Sequence, residues 1–489
     1  MRIQELAKEH ALLESCAEVL SWDEETYLPA NALAHRADQV AWLHSRAHEL
    51  VTSAEWEDAL NEALENDSNK NSRDVQNLRL LERELRRAKC LPIELINRES
   101  VACSKGKHAW AKAREKSHFP DFLPHLEVLL DIAREKAELW GYSGEAYDAL
   151  LENYERNTST AQIVACFAAL EPAVIEISTA AIQHGKMRTT LLPAGPYPVA
   201  AQMELNARVA AAVGFDFDSG RIDTTAHPFC TTLGPRDIRI TTRYDENDFT
   251  SSLFGVLHEA GHGLYEQGLP VDDFGLPSGK AVSLGIHESQ SRLWENHVGR
   301  SRAFWHVWYP KAQEIFPQLK SFPLEDFMHY LWRAEHSQIR VEADEATYDL
   351  HIFLRVDLER RLLAGNLTAR DLPEAWNAGY TARFGFAPED DRHGCLQDIH
   401  WAMGGIGYFA TYTLGNMHAA QLFAAAMKDA SIANEFATGN FSPLLDWLRN
   451  AVHRHGGLID PWDLITSATG VAPNSSPYIH HLRNRYLGS

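Results

Sequence analysis

The chain has 489 residues, 45% of them hydrophobic, and a formal net charge of −21. This length and apolar fraction support a large buried core and exclude global disorder, while the acidic balance repels phosphate and argues against nucleic acid as a partner. Six cysteines, at 16, 90, 103, 166, 230 and 395, lie scattered without a Cys-x-x-Cys pair, which speaks against a disulfide framework and fits a reducing cytoplasm.

The N-terminal MRIQELAKEHALLESC is charged and amphipathic and lacks the apolar stretch of a secretory signal. Apolar residues at helical spacing predict helices over Arg73–Lys89 and Phe122–Gly141, the second closed by its glycine. TAQIVACFAALEPAVIEISTAAIQ, from Thr160, is mostly apolar and predicts a buried pair of helices. LLPAGPYPVA (191–200) is a Pro/Gly break. RIDTTAHPF (221–229) and DIRITTRY (237–244) predict two strands that pair as a small antiparallel sheet. An edge strand there is suited to pairing with an extended peptide. Helical patterns resume in AAQLFAAAMKDASIANEFA and SPLLDWLRNAVHRHGG. No run of about 18 apolar residues predicts a membrane span, so no membrane partner is expected. The expected architecture is a single, mainly α domain over 1–489, with a helical part at about 1–190 and a motif-bearing part at about 200–489.

The stretch SSLFGVLHEAGHGLYEQG (251–268) carries the chemistry. Thr250, Ser251 and Ser252 are good N-caps and Gly268 with Pro270 a good stop, so it predicts a helix. His258 and His262, at i and i+4, leave one face one turn apart and can bind one cation. Glu259 sits one position round, within reach of a water on that cation. Gly261 and Gly263 each cost about 1 kcal/mol in a helix interior, which implies that another element approaches closely.

A third ligand is needed. Tyr265 and Gly268 occupy the positions where a metzincin carries glycine and histidine, so that class is excluded. Glu266 lies about 12 Å from His258 along the axis, too far to share an ion. KAVSLG, about twenty residues on, holds no acid. The next acid is Glu288, in GIHESQSRLWE. A second helix opening near Ser283 and packed on the first lets Glu288 complete a His-His-Glu set, with a fourth position left to water, the mark of catalytic zinc.

Other motifs accompany this one in order: HPF (227–229), DIRIT (237–241), HESQ (287–290), IRVEADEATYDLHIFLRVDLE (339–359) and GCLQDIHW (394–401). WDEETYLPANALAHR (22–36) and YDALLENYE (147–155) precede them. Across almost the whole chain the set resembles the carboxypeptidase Taq family of metallocarboxypeptidases. It departs at ERNTS (155–159), which lacks the Pro-Gly expected there, and at RVDLE, which replaces a more aromatic version. The resemblance implies a large helical metallopeptidase fold with a deep substrate groove. It further implies release of single C-terminal residues from peptides with broad specificity, zinc that cobalt can replace, and a homodimer. The nearest rival is an endo-oligopeptidase or dipeptidyl carboxypeptidase on a related helical fold. A catalytically silent binding protein is disfavoured because Glu259 is intact.

Within that chemistry Glu259 is the general base. Tyr412 is the family-implied donor to the oxyanion, with Tyr408 a near alternative. A guanidinium suits a substrate carboxylate. Of Arg239, Arg340 and Arg355, the family pattern favours Arg340. His227 and His400 are candidates for hydrogen bonds to the substrate backbone. Asp344 shares a predicted helix with Glu345 and His351, and is expected to accept the second N–H of a ligating histidine.

Overall fold

Helices dominate because apolar residues recur every three or four positions between charged ones. A computed structural model describes residues 1–66, 72–186 and 190–488. The chain divides into two units, each assembled from three separated segments. Unit 1 takes Met1–Lys89, Thr190–Tyr330 and Leu422–Ala472; unit 2 takes Cys90–Thr189, Leu331–Gln421 and Pro473–Ser489. The expected division near residue 190 is therefore one of several crossing points.

In unit 1, helix α1 (Arg2–Thr26) lies along a three-stranded sheet of order β1-β3-β2. β1 (Gly220–Thr224) runs parallel to β3 (Asp237–Thr242), and β2 (Cys230–Gly234) runs antiparallel to it. The sheet is thus mixed, where a purely antiparallel pair was expected. The loop after β1, which carries HPF, returns the chain along the far edge of β3, so the two predicted strands end up parallel. β3 is also the central strand with both edges paired, so it is not open to an added peptide. Tyr27 donates to Asp223 (2.7 Å), Thr231 donates to Glu18 (3.0 Å), and Ser15 donates to the Leu233 carbonyl, which together pin α1 to the sheet. The Trp22 ring lies under the guanidinium of Arg239 at 4.2 Å.

Ile238 and Ile240 of β3 are buried, and β3 packs on α2 (Phe249–Gly268). Asp248 caps α2, accepting from the Thr250 N–H at 2.9 Å; the cap lies outside the hydroxyl run expected to supply it. The glycines of α2 have the anticipated reason. A Cβ on Gly261 would sit 2.5 Å from Ser291 Cα and 2.6 Å from the Gln290 carbonyl oxygen. Those atoms belong to α3 (Leu284–Arg292), which opens at Ser283 as expected, with the Ser283 hydroxyl accepting from the Ile286 N–H. α3 runs directly into a seven-residue π-helix, Leu293–Gly299. Two helices in backbone-close contact therefore position everything that follows.

In unit 2, the expected pair of helices after Thr160 is one continuous helix, Thr160–Lys186, with Pro172 inside it. By length and composition its residues 160–185 would cross a bilayer. They instead supply Ile163, Phe167, Leu170, Val174 and Ile177 to the core of the unit. Helix α4 (Tyr348–Leu363) is buried almost throughout. Asp349 ties it to α5 (Ala410–Ala426) and α6 (Ser476–Leu487) by accepting from Thr413 (2.6 Å), Asn416 (3.0 Å) and Tyr478 (2.7 Å).

Candidate metal centre

The close crossing of α2 and α3 brings His258, His262 and Glu288 together. One donor atom from each lies within 4.8 Å of the others. Glu288 Oε2 stands 3.7 Å from His258 Nε2 and 3.5 Å from His262 Nε2. A tetrahedral ion with donors at about 2.1 Å sets them about 3.4 Å apart, so the trio has the spacing and the donor chemistry for one divalent ion. Both histidines present Nε2, and both Nδ1 atoms face protein partners, as ligated imidazoles do.

Those partners are specific. His258 Nδ1 is 3.0 Å from Glu295 Oε2. Glu295 is itself flanked by Arg292 (3.4 Å) and Arg300 (3.3 Å). Arg292 Nε also donates to Glu288 Oε1 at 2.7 Å, which leaves Oε2 turned toward the imidazoles. His262 Nδ1 meets His287 Nδ1 at 2.6 Å, and His287 Nε2 meets Glu266 Oε1 at 2.8 Å. Glu259 is only 7% exposed. Burial pushes its carboxyl up to about 7, with the neighbouring Glu288 adding to the rise and His258 opposing it. Burial, reinforced by the neighbouring His287 and His258, holds His262 neutral. Burial opposes ionisation of Glu295, yet the His258 hydrogen bond and Arg292 bring it down to about 2.

The expected role of Asp344 needs correction. Helix α4 starts only at Tyr348, so Asp344 precedes it in a turn. There it accepts from the backbone N–H groups of Glu335 (2.7 Å), Ala346 (2.9 Å) and Thr347 (3.1 Å). The carboxylate on His258 is Glu295, which sequence reasoning missed. Its signal was available: Arg292 and Glu295 follow Glu288 at i+4 and i+7, on one helical face.

The remaining candidates divide between the units. In unit 1, His227 is exposed in the loop before β2, and Arg239 makes a bidentate pair with Asp237 (2.9 and 3.0 Å). In unit 2, Arg340 donates from Nε and Nη2 to Asp398 (3.0 and 2.8 Å) and from Nη1 to the Tyr348 hydroxyl (2.8 Å). Asp398 also accepts from Arg355 at 2.7 Å. Arg355 is wholly buried, and Arg340 retains 5% exposure. Two guanidinium groups around one carboxylate leave a net positive charge in a shielded place. Tyr412 lies beside it, 4.8 Å below the Arg340 guanidinium, with its hydroxyl 3.4 Å from His400 Nε2. The Tyr408 ring is 5.4 Å from that of Tyr412. Burial lowers His400 to about 4, so its ring is neutral near pH 7. Asp398 and Tyr348 are the residues in this group to which sequence reasoning gave no role, although they stand inside GCLQDIHW and IRVEADEATYDLHIFLRVDLE.

A model of the carboxypeptidase Taq (M32) metallopeptidase family matches residues 2–486. Thermostable carboxypeptidase 1 of Thermus thermophilus is 41% identical over 496 residues, covering 99% of this chain and 97% of the relative. Carboxypeptidase 1 of Bacillus subtilis is 36% identical over 470 residues, covering 96% and 94%. Among solved structures, an M32 carboxypeptidase from Deinococcus radiodurans R1 superposes with a TM-score of 0.94 at 37% identity, covering 99% of this chain and 98% of that one. Metallocarboxypeptidase 1 of Trypanosoma cruzi gives 0.95 at 33%, with the same coverage.

Proposed function

The chain belongs to the carboxypeptidase Taq (M32) family of metallopeptidases and is a metal-dependent carboxypeptidase; we propose that it releases single C-terminal residues from peptides with broad side-chain tolerance. The observation that carries this reading is the His258–His262–Glu288 trio, spaced for one ion beside the buried carboxyl of Glu259.

Zinc is the proposed ion, with cobalt able to replace it; when bound, it supplies Lewis-acid polarisation of the scissile carbonyl and of the attacking water. Glu259 takes the proton from that water and passes it to the leaving amine. Glu295 and Arg292 hold His258 and Glu288 in register and add no reacting group. Tyr412 is the proposed donor to the oxyanion, and Tyr408 is the alternative. Arg340 is the proposed reader of the substrate carboxylate, supported by the surplus positive charge it shares with Arg355 over Asp398. His227, His400 and Arg239 are proposed contacts to the peptide. The six cysteines are free thiols, which supports a reducing, cytoplasmic location. A homodimer is the proposed assembly, and light scattering that returns the mass of one chain would contradict it.

Peptides offered with a free or an amidated C-terminus test the exopeptidase reading. Cleavage of the free form with the amidated form left intact is the expected result. Equal cleavage of both would replace the reading with an endopeptidase.

A further inference from the structure

The motif HESQ contributes Glu288 to the metal trio and leaves His287 without a task. Glu266, excluded above as a ligand by its distance, is likewise unassigned. The structure joins the two. On α2, His258, His262 and Glu266 follow one another at i, i+4 and i+8, a ladder on one face. On α3, His287 and Glu288 are consecutive and leave the axis about 100° apart. One turn of α3 therefore sends Glu288 to the metal-facing side of the imidazoles and His287 behind His262.

The contacts form a continuous chain. His262 Nδ1 is 2.6 Å from His287 Nδ1, and the two rings lie 4.6 Å apart at 32°. His287 Nε2 is 2.8 Å from Glu266 Oε1. Glu266 Oε2 accepts from the Thr232 hydroxyl of β2 at 2.9 Å. The proton positions follow from the ion. A metal on His262 Nε2 leaves the proton of the neutral ring on Nδ1, whose facing acceptor at 2.6 Å is His287 Nδ1, with the His287 backbone carbonyl as a second acceptor beside it. With His287 Nδ1 accepting, the proton of His287 sits on Nε2 and donates to Glu266. Each ring has one tautomer that satisfies the chain, and each link has an acceptor waiting.

We propose that His287 and Glu266 are positioning residues for the metal, a histidine–carboxylate relay that fixes the tautomer and orientation of His262 from the sheet outward. This rests on the assignment of His258, His262 and Glu288 as ligands. The two ligating imidazoles are then supported unequally: His258 by a carboxylate directly, His262 by a carboxylate one ring removed. Partners of this kind raise the basicity of a ligating imidazole and hold its ring plane, and losing one costs about 10- to 100-fold in metal affinity.

The test compares zinc affinity, measured by chelator competition, in the wild type, Glu266→Gln, His287→Asn and His287→Leu. Metal-free melting temperatures and the visible absorption of the cobalt-loaded proteins are recorded alongside. Asn retains an acceptor for His262 but ends the relay; Leu removes the acceptor as well. The expected order is wild type tightest, Glu266→Gln and His287→Asn weaker by about tenfold, and His287→Leu weaker by about a hundredfold. The cobalt bands should shift in each variant, with metal-free melting unchanged in the first two. Glu266→Gln and His287→Asn that hold zinc within about twofold of the wild type, with unshifted cobalt spectra, would overturn the relay alone. A wild type that binds neither zinc nor cobalt would overturn the relay together with the ligand assignment beneath it.

Discussion

Glu259 and Glu359 show how one physical cause serves two ends. Both carboxyls are lifted to about 7 by burial. Glu259 stands beside the metal trio, and Glu259→Gln should cut peptide hydrolysis by about 10²- to 10⁴-fold while metal content, measured by elemental analysis, stays at the wild-type level. Hydrolysis at the wild-type rate with the metal retained would remove Glu259 from the mechanism. Glu359 instead accepts from Trp401 Nε1 (2.8 Å), the Tyr147 hydroxyl (2.9 Å) and the Gly407 N–H (3.2 Å), deep in unit 2. Its folded pKa lies above the unfolded value of 4.5, so the folded state keeps a proton that the unfolded chain has lost between pH 4.5 and 7. Stability from this group is present below pH 4.5 and falls as pH rises through that window. Denaturant titrations should therefore show Glu359→Gln gaining on the wild type by about 3 kcal/mol between pH 4.5 and 7; a pH-independent difference would contradict the assignment. At this scale the helical period put His258 and His262 on one face, and Glu288 was reached by excluding the nearer acids. It placed Glu295 on the face of Glu288 without singling it out, and it misled on Asp344, because choosing among carboxylates requires knowing where the helix carrying them begins.

At the scale of elements, Gly261 decides how near α3 comes to α2. Alanine would add about 1 kcal/mol of intrinsic helix propensity. Against that, its Cβ would press on the Ser291 and Gln290 backbone, which cannot turn aside. The steric term should win, and Gly261→Ala is expected to lose about 1–3 kcal/mol of stability and to weaken metal binding, since Glu288 would move away from both imidazoles. A variant with a raised melting temperature and unaltered zinc affinity would show that the contact is slack. The helices were legible because their caps and periods are local: Ser283 opens α3, and Gly141 closes the helix Leu123–Trp140. The sheet was legible only in part. β2 is five residues long and includes a glycine, too short for alternation to stand out. Whether β1 and β3 pair parallel or antiparallel depends on a return strand with no signal of its own. The π-helix after α3 has no periodic signature either, since the residues Leu293–Gly299 read as ordinary helix.

For the whole molecule, the mainly helical class and the family were both readable from the ordered motifs. The division of the chain between two units was not, because each unit gathers three segments that are separated along the chain. Periodicity reports on the face of an element and says nothing about which distant element covers it. Membership of the family follows from similarity across nearly all of the chain; what is proposed of this chain's own residues is that His258, His262 and Glu288 hold the ion on which hydrolysis depends. Mass spectrometry of a mixed peptide pool addresses that claim most directly. The pool is incubated with the wild type, with chelator-treated protein before and after zinc is returned, and with Glu288→Gln. The expected products are shortened one residue at a time from the C-terminus, lost on chelation, restored by zinc, and absent or strongly reduced with Glu288→Gln at the same zinc concentration. C-terminal ladders that persist undiminished with Glu288→Gln, or that survive removal of the metal, would contradict the claim.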